Sequence, residues 1–337
     1  MRVVRSACPA LGLLFGWLSV IAAPAIHAQS AANPGVVELD NVNGYTQVLA
    51  LSDPHGMYTA LTALLTAAKV VDGKGKWTAG RTLLIVCGDS IDKGPDSLPI
   101  LELWMRLDPQ AQANGGRLIV LLGNHEAEFL KDPANSKAST FVTELARARI
   151  SPRDLAAGSD ARGIGKFLLR MPLAARIGRF LFAHAGWYPD HVKWADFVAR
   201  AKGTLIAGKY GDPFITGAHS ILEEKEETPP GSDDPEKWYD DPKLVKTLEA
   251  RLSAVGLYGV IFGHQPHAFG FKTKIGAVDN LRIIKIDTGM APDADESAGE
   301  ILRFRHPADL LKLAAPDADR LKADGGQSAI KVVDSSP

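Results

Sequence analysis

Cysteine is almost missing from this chain, with only Cys8 and Cys87 in 337 residues. Cys8 falls in a leader-like start, too early and too poorly flanked to take a lipid, and Cys87 alone can form no intrachain disulfide. Cys87 lies in an apolar run and reads as packing. An excess of positive charge is missing too. Lysine and arginine number 38 against 39 acidic residues, a net charge of −1, and no basic stripe stands out, which excludes bulk nucleic acid as a partner. Nothing repeats internally. The cluster Asp72-Gly-Lys-Gly-Lys76 is only superficially like a phosphate loop and reads as a polar turn between a helix and a strand.

Apolar residues make up 46% of the sequence, ample for a large core, and the length allows one large or two average domains. The first 28 residues carry Arg2 and Arg5, then the apolar run Ala10 to Ala23, then Ile26-His-Ala28, which is the order of a Sec-type signal peptide. The alternative is an uncleaved anchor, since the apolar stretch is nearly long enough to span a bilayer. Pro24 and the small-residue end favour cleavage near Gln29, so no stable membrane anchor is expected and the address is periplasmic or secreted. Removal of this leader leaves 36 basic and 39 acidic residues, a net charge of −3.

Chemistry concentrates in short polar segments that follow apolar runs. Gln47 to Leu51 precedes Asp53-Pro-His55-Gly56, Arg81 to Val86 precedes Gly88-Asp89-Ser-Ile-Asp92, and Arg117 to Leu122 precedes Gly123-Asn124-His125-Glu126. Arg179 to Phe182 precedes His184, and Tyr258 to Phe262 precedes Gly263-His264. Each run has strand length and β-branched or aromatic content, and continuous rather than alternating apolarity suits strands covered on both faces. In open α/β sheets the ligand site lies beyond the carboxyl ends of the strands, where all these polar residues sit.

Any one segment could be a turn, but together they form a ligand set. Asp53 and His55, two apart at an extended strand end, leave on one side and can grip one cation. Asp89 and Asp92, three apart across a tight turn, let one face a metal while the other stays behind. Gly88, Gly123 and Gly263 each precede a ligand and permit conformations or approaches that a Cβ would hinder. The set mixes Asp, His and Asn without Cys, favouring Mn, Fe or Zn over soft-metal sites.

In these segments the chain resembles the calcineurin-like metallophosphoesterases, and within them the PPP-type phosphatases of the bacterial Shewanella-like branch. The family patterns GDxHG, GDxxDRG, GNHE, HGG or HAG, and a late GH correspond here to SDPHG, GDSIDKG, GNHE, AHAG (Ala183 to Gly186) and GHQPH (Gly263 to His267), with Ile286-Asp-Thr-Gly-Met290 following. The resemblance runs in order over residues 46 to 305. It implies an α/β fold, a two-sheet α-β-β-α sandwich with a helical or loop lid, as one catalytic domain over 46–307. It further implies that Asp53, His55 and Asp89 hold one divalent ion and that Asp89 bridges to a second held by Asn124, His184 and His264. Such a pair activates a bridging hydroxide and clamps phosphoryl oxygens. His125 would protonate the leaving alkoxide, with Asp92 orienting it.

Two positions depart from the family. Lys93 replaces the DRG arginine, and Lys225 sits about where a second phosphate-holding arginine falls, so Lys93, Lys225 and Asn124 are the expected substrate contacts. A lysine meets phosphate as a point charge and loses the bidentate fork. The implied activity is phosphomonoester hydrolysis, on a phosphorylated small molecule or a phosphoprotein. Nucleotidase, phosphodiesterase or dinucleoside polyphosphatase action on the same site are the alternatives, with a non-catalytic phospho-ligand binder behind them.

Residues 131–175 and 187–245 interrupt the pattern and are expected to form the lid. The second carries Trp187, Trp194, Trp238 and an acidic stretch from Glu223 to Asp241 that reads as a solvated loop. His219 and His267 read as surface histidines, and Asp287 as a turn residue or a brace beneath the site. Residues 308–337 are expected to be a loosely ordered tail. No feature sets an oligomeric state.

Overall fold

The computed structural model describes residues 32–186, 192–224 and 242–333. The expected leader, Lys225, Trp187, Trp238 and most of the acidic stretch lie outside those residues. No helix among the described residues is long and apolar enough to cross a membrane.

Thirteen strands in the described residues form two sheets. In chain order they are β1 (Val36–Leu39), β2 (Gln47–Leu51), β3 (Thr82–Val86), β4 (Arg117–Val120), β5 (Ala174–Ile177), β6 (Phe180–Ala183) and β7 (Gly259–Phe262). Then come β8 (Gly276–Val278), β9 (Ile283–Lys285), β10 (Glu300–Phe304), β11 (Ala318–Lys322), β12 (Gln327–Ala329) and β13 (Lys331–Val333). One sheet has the order β12-β11-β10-β2-β3-β4 and the other β1-β5-β6-β7-β9-β8-β13.

The apolar runs become strands buried on both faces, and the strand period of two sorts their side chains into two layers. Val48, Ala50, Leu83 and Ile85 face the other sheet and pack in one cluster with Phe180, Phe182, Ile261 and Ile284. Phe304 of β10 lies 6.1 and 6.5 Å, centroid to centroid, from Phe180 and Phe182 of β6, joining the sheets by ring contact. The alternate residues Leu49, Leu51, Leu84 and Val86 belong to a second cluster with Leu61, Leu64 and Leu65 of α1 (Tyr58–Ala67) and Leu101 and Trp104 of α2 (Ser97–Ala113). The result is the expected two-sheet sandwich with helices outside.

Strand direction then places the site. β2, β3 and β4 are mutually parallel, with Leu51 opposite Val86 and Val86 opposite Val120. β6, β7 and β9 are also parallel, with Ala183 opposite Phe262. The segments after β2, β3 and β4 therefore leave one sheet at a common edge, and those after β6 and β7 leave the other together.

Two expectations about flanking regions are corrected. The described residues after Pro307 are not a loose tail, because β11 pairs antiparallel with β10 and β12 antiparallel with β11, extending the first sheet, and β13 pairs in parallel with β8 of the second. Arg320 in β11 forms a buried ion pair with Glu300 in β10 at 2.7 Å, a long-range lock that a polar composition conceals. Most of 131–175 is packing rather than lid. Phe141 and Leu145 of α4 (Ser139–Arg147), with Leu155, Ile164 and Leu168, are fully buried in the helix-side cluster.

Candidate metal centre

The ligand loops are tight turns. Asp53, His55, Asp89, Asp92, Lys93 and His264 all have φ between 40° and 66°, the left-handed region that costs a non-glycine residue about 1–3 kcal/mol. The expected extended geometry at Asp53 and His55 is thus wrong: the backbone turns at once after β2, with the His55 N–H donating to the Asp89 carbonyl at 2.9 Å. Glycine supplies room more than conformation. A Cβ on Gly123 would lie 2.1 Å from Asp89 Oδ1, and one on Gly263 would lie 2.1 Å from Asp53 Oδ2.

These turns bring the expected ligands together. Asp89 Oδ2 lies 3.4 Å from Nε2 of His55 and 3.4 Å from Nε2 of His184, while its Oδ1 accepts the His125 N–H at 3.0 Å. Asn124 Oδ1 lies 3.0 Å from His184 Nε2, and Asp53 Oδ1 lies 3.8 Å from His55 Nε2. Asp53 Oδ2 is held by the His264 N–H at 3.0 Å and by the Ser52 hydroxyl. His55 Nδ1 donates to the Ile91 carbonyl and His184 Nδ1 to the Cys87 carbonyl, which turns Nε2 of both rings toward Asp89.

The donors fit divalent cations. Two groups, His55, Asp89 and His125, and Asp89, His184 and His264, each have ligating atoms within 4.8 Å of one another and share Asp89. His125 stands in the first group where Asp53 was expected; Asp53 keeps Oδ1 turned toward His55. Electrostatics agree with a site built for cations. Burial pushes the Asp53 carboxyl well above the usual range, reinforced by Asp287, and drives the His55 imidazole down to about 3. Burial opposes charge on His184 as well, but Asp89 and Asp53 outweigh it and push that imidazole up to about 10. Three buried carboxylates, Asp53, Asp89 and Asp287, converge on one spot, and added positive charge relieves them.

His125 is braced twice at Nδ1, by Asp92 Oδ2 at 3.2 Å and by the Lys137 carbonyl at 3.0 Å. Asp92 Oδ1 accepts the Thr140 and Phe141 N–H groups at 2.9 and 3.1 Å, so the start of α4 fixes that carboxylate. Burial opposes its charge, yet the bonds from His125 and Phe141 hold it below the usual range.

The site floors a cleft of about 810 Å³. Lys93 lines it, with Nζ 3.5 Å from Asp293 Oδ1. Asp287 serves both expected roles, accepting the Gly289 N–H at 2.9 Å within its turn and forming part of the cleft floor. His219 and His267 are surface histidines as expected, with side chains 73% and 38% exposed, and both also line the cleft, each 2.9 Å from a carboxylate, of Glu224 and Asp295.

Glu126 was not anticipated. Fully buried at the third position of α3 (Asn124–Lys131), it accepts the N–H groups of Gly123 and Asp89 on Oε2 and of Ser90 and Ile91 on Oε1, at 2.7 to 3.1 Å. It ties the Asp89 loop to the helix that carries Asn124 and His125. The spacing Gly123-x-x-Glu126 is a capping-box signal that could have revealed it. Lys137, also unassigned by the sequence, enters the cleft from the turn before α4.

Residues 46–268 match the calcineurin-like phosphoesterase family. The chain is 24% identical to Shewanella-like protein phosphatase 2 of Arabidopsis thaliana over 312 residues, covering 77% of this chain and 75% of that one. It is 27% identical over 167 residues to a symmetrical bis(5'-nucleosyl)-tetraphosphatase of Neisseria meningitidis, covering 48% and 51%. Its fold is similar to that of a cold-active protein-tyrosine phosphatase of a psychrophilic Shewanella species, with a TM-score of 0.65 at 19% identity over 90% of this chain and 84% of that one. The family match spans most of the chain and contains every expected ligand, Asp53 to His264. The chain belongs to the calcineurin-like phosphoesterases and is a hydrolase of phosphoesters.

Proposed function

We propose that the protein is an exported dinuclear-metal phosphatase acting on phosphomonoesters, phosphoproteins among them. The observation that carries the reading is the place of Asp89 Oδ2, 3.4 Å from Nε2 of both His55 and His184, where one carboxylate can serve two cations. Asp53, His55 and Asp89 would hold the first, and Asp89, Asn124, His184 and His264 the second. Manganese, iron or zinc there would acidify a shared water and neutralise phosphoryl oxygens.

The remaining roles belong to the chain. Lys93 and Asn124 orient the phosphoryl group from the cleft floor. His125, with Nδ1 committed to Asp92 and the Lys137 carbonyl, gives its Nε2 proton to the departing alkoxide. Asp92 keeps that imidazole oriented and favours its protonated form. Lys225 is retained as a second phosphate contact on its place in sequence, and 187–245 as the lid. Export is supported by the leader-like residues 1–28.

The cleft volume of about 810 Å³ favours a second reading, hydrolysis of a nucleotide or dinucleoside polyphosphate, because it exceeds what a small monoester fills. Turnover of monoesters, diesters, nucleotides and phosphopeptides, each measured with Mn, Zn, Fe, Mg and Ca alongside elemental analysis, separates these readings. Two metals per active chain and fastest turnover of monoesters are expected. One metal or none in active protein, or ligand binding without turnover, overturns the proposal.

A further inference from the structure

We propose that Lys137 selects substrates by their leaving group, receiving a second anion that lies beside the scissile ester. The inference rests on the phosphatase reading above and adds a specificity residue to it. Lys137 occupies the turn Ser136–Ala138, and its own carbonyl accepts a hydrogen bond from His125 Nδ1 at 3.0 Å. The backbone that braces the proton donor therefore also carries the lysine. Lys137 and His125 line one cleft, and the inference places the lysine on the side to which that proton goes, that of the leaving group.

Its partner comes from a different part of the chain. Lys137 Nζ lies 2.9 and 3.1 Å from the two carboxylate oxygens of Glu223. The lysine side chain is 43% exposed and the glutamate only 16%, so the cation is the member of the pair that an incoming group meets. A half-exposed ion pair contributes little to folding, and a substrate anion can replace one carboxylate by another at small cost. Among the described residues, Glu128 and Glu224 of this wall are already engaged, the first by Lys131 and Asn135 and the second by His219. Lys93 is placed differently. It follows Asp92 in the tight turn of the ligand loop and lines the cleft with Nζ 3.5 Å from Asp293 Oδ1, so it belongs with the transferred phosphoryl group, while Lys137 pairs with Glu223 on another segment.

A matched pair of substrates tests this. 3-Phosphoglycerate carries a carboxylate on its leaving group, and glycerol 3-phosphate carries a hydroxymethyl group in that place. The metal-loaded full chain should prefer the first. Lys137→Ala should lower kcat/KM for 3-phosphoglycerate about 10-fold, mainly through KM, and leave glycerol 3-phosphate within about two-fold, since the carbonyl that braces His125 is retained. Lys137→Arg should preserve the preference, and Glu223→Gln, which releases the lysine, should increase it. Equal losses on both substrates would show contact with the phosphoryl group or a structural role, and unchanged ratios would show no contact; either result overturns the inference. If Lys137→Ala does not fold, an unchanged ratio in Glu223→Gln does the same. Wild-type protein that hydrolyses neither ester nor p-nitrophenyl phosphate removes the phosphatase reading itself, a distinct outcome.

Discussion

On the floor of the cleft Asp53, Asp89, Asn124 and His184 are each at most 3% exposed, whereas on the outer wall the side chains of Lys137 and His219 are 43% and 73% exposed. The floor is fixed by backbone: Glu126 gathers four N–H groups, Asp92 caps α4, and His55 and His184 lean on carbonyls of the Asp89 loop and its strand. The wall is fixed by ion pairs between side chains, each worth about 0–1 kcal/mol where exposed. A floor of this kind holds charges at set distances and tolerates strained φ values. A wall of this kind can rearrange around different leaving groups. On the proposed reading, reaction type and substrate choice are thus built from different materials in one cleft.

The strongest test of the floor is Asp89→Asn. Loss of the shared negative charge should strip both cations, leaving elemental analysis near zero and activity at the level of the buffer control. Retention of one tightly held metal would show that Asp89 does not bridge. His125→Ala should be milder, with metal content intact and kcat lowered by about 10²–10⁴, the worth of a positioned acid. Because His125 stands geometrically among the possible donors with His55 and Asp89, a parallel loss of metal would reassign it as a ligand.

The same contrast decides what the sequence reveals. The floor was readable because its chemistry follows apolar strands directly: Leu51 to Asp53, Val86 to Asp89 and Phe262 to His264 are each separated by one or two residues. The sandwich was readable for a related reason, since β2, β3 and β7 are continuous apolar runs. Glu126 escaped notice because its role is to accept backbone bonds, which leave no trace in residue type beyond a capping spacing. Left-handed φ values at Asp53 and His55 were equally hidden, as both residues also suit strand ends. The wall was readable only as segments expected to cover the site; its pairing was not, because Lys137 and Glu223 are 86 residues apart and meet only through the fold. β11 and β12 were missed because Asp319 and Arg320 look solvent-seeking, while in the structure they are buried against Arg303 and Glu300.

Lys93 stands between floor and wall, with its backbone in the tight turn after Asp92 and its Nζ near the exposed Asp293. Lys93→Ala should raise KM and lower kcat, together reducing kcat/KM by about 10–100-fold, the scale of one charge-assisted hydrogen bond, without removing metal. Lys93→Arg should keep or improve activity on a phosphomonoester by restoring the fork. Wild-type kinetics for Lys93→Ala would move the residue to the wall, as a partner of Asp293 alone.

The smallest expected effect lies in the pairing of Asp92 with His125. Burial alone would lower the His125 pKa, but Asp89 and the hydrogen bond to Asp92 reverse this and hold it above the ordinary value. On the proposed reading His125 must be protonated to act as the proton donor, so activity should be lost as pH rises through that pKa, with the alkaline limb of the pH–rate profile reporting it. In Asp92→Asn the side chain has one oxygen left for two sets of donors. Thr140 and Phe141 supply two backbone N–H groups, so the amide oxygen stays with them and the NH2 faces His125 Nδ1. That group repels the Nδ1 proton, and the negative charge is gone as well. Both changes disfavour imidazolium, and the alkaline limb should move to lower pH by about one unit. The Lys137 carbonyl still accepts from Nδ1 in the protonated form, which keeps the shift from growing larger. If the limb and kcat are both unchanged in Asp92→Asn, the carboxylate acts only as the cap of α4, and His125 takes its orientation from the wall.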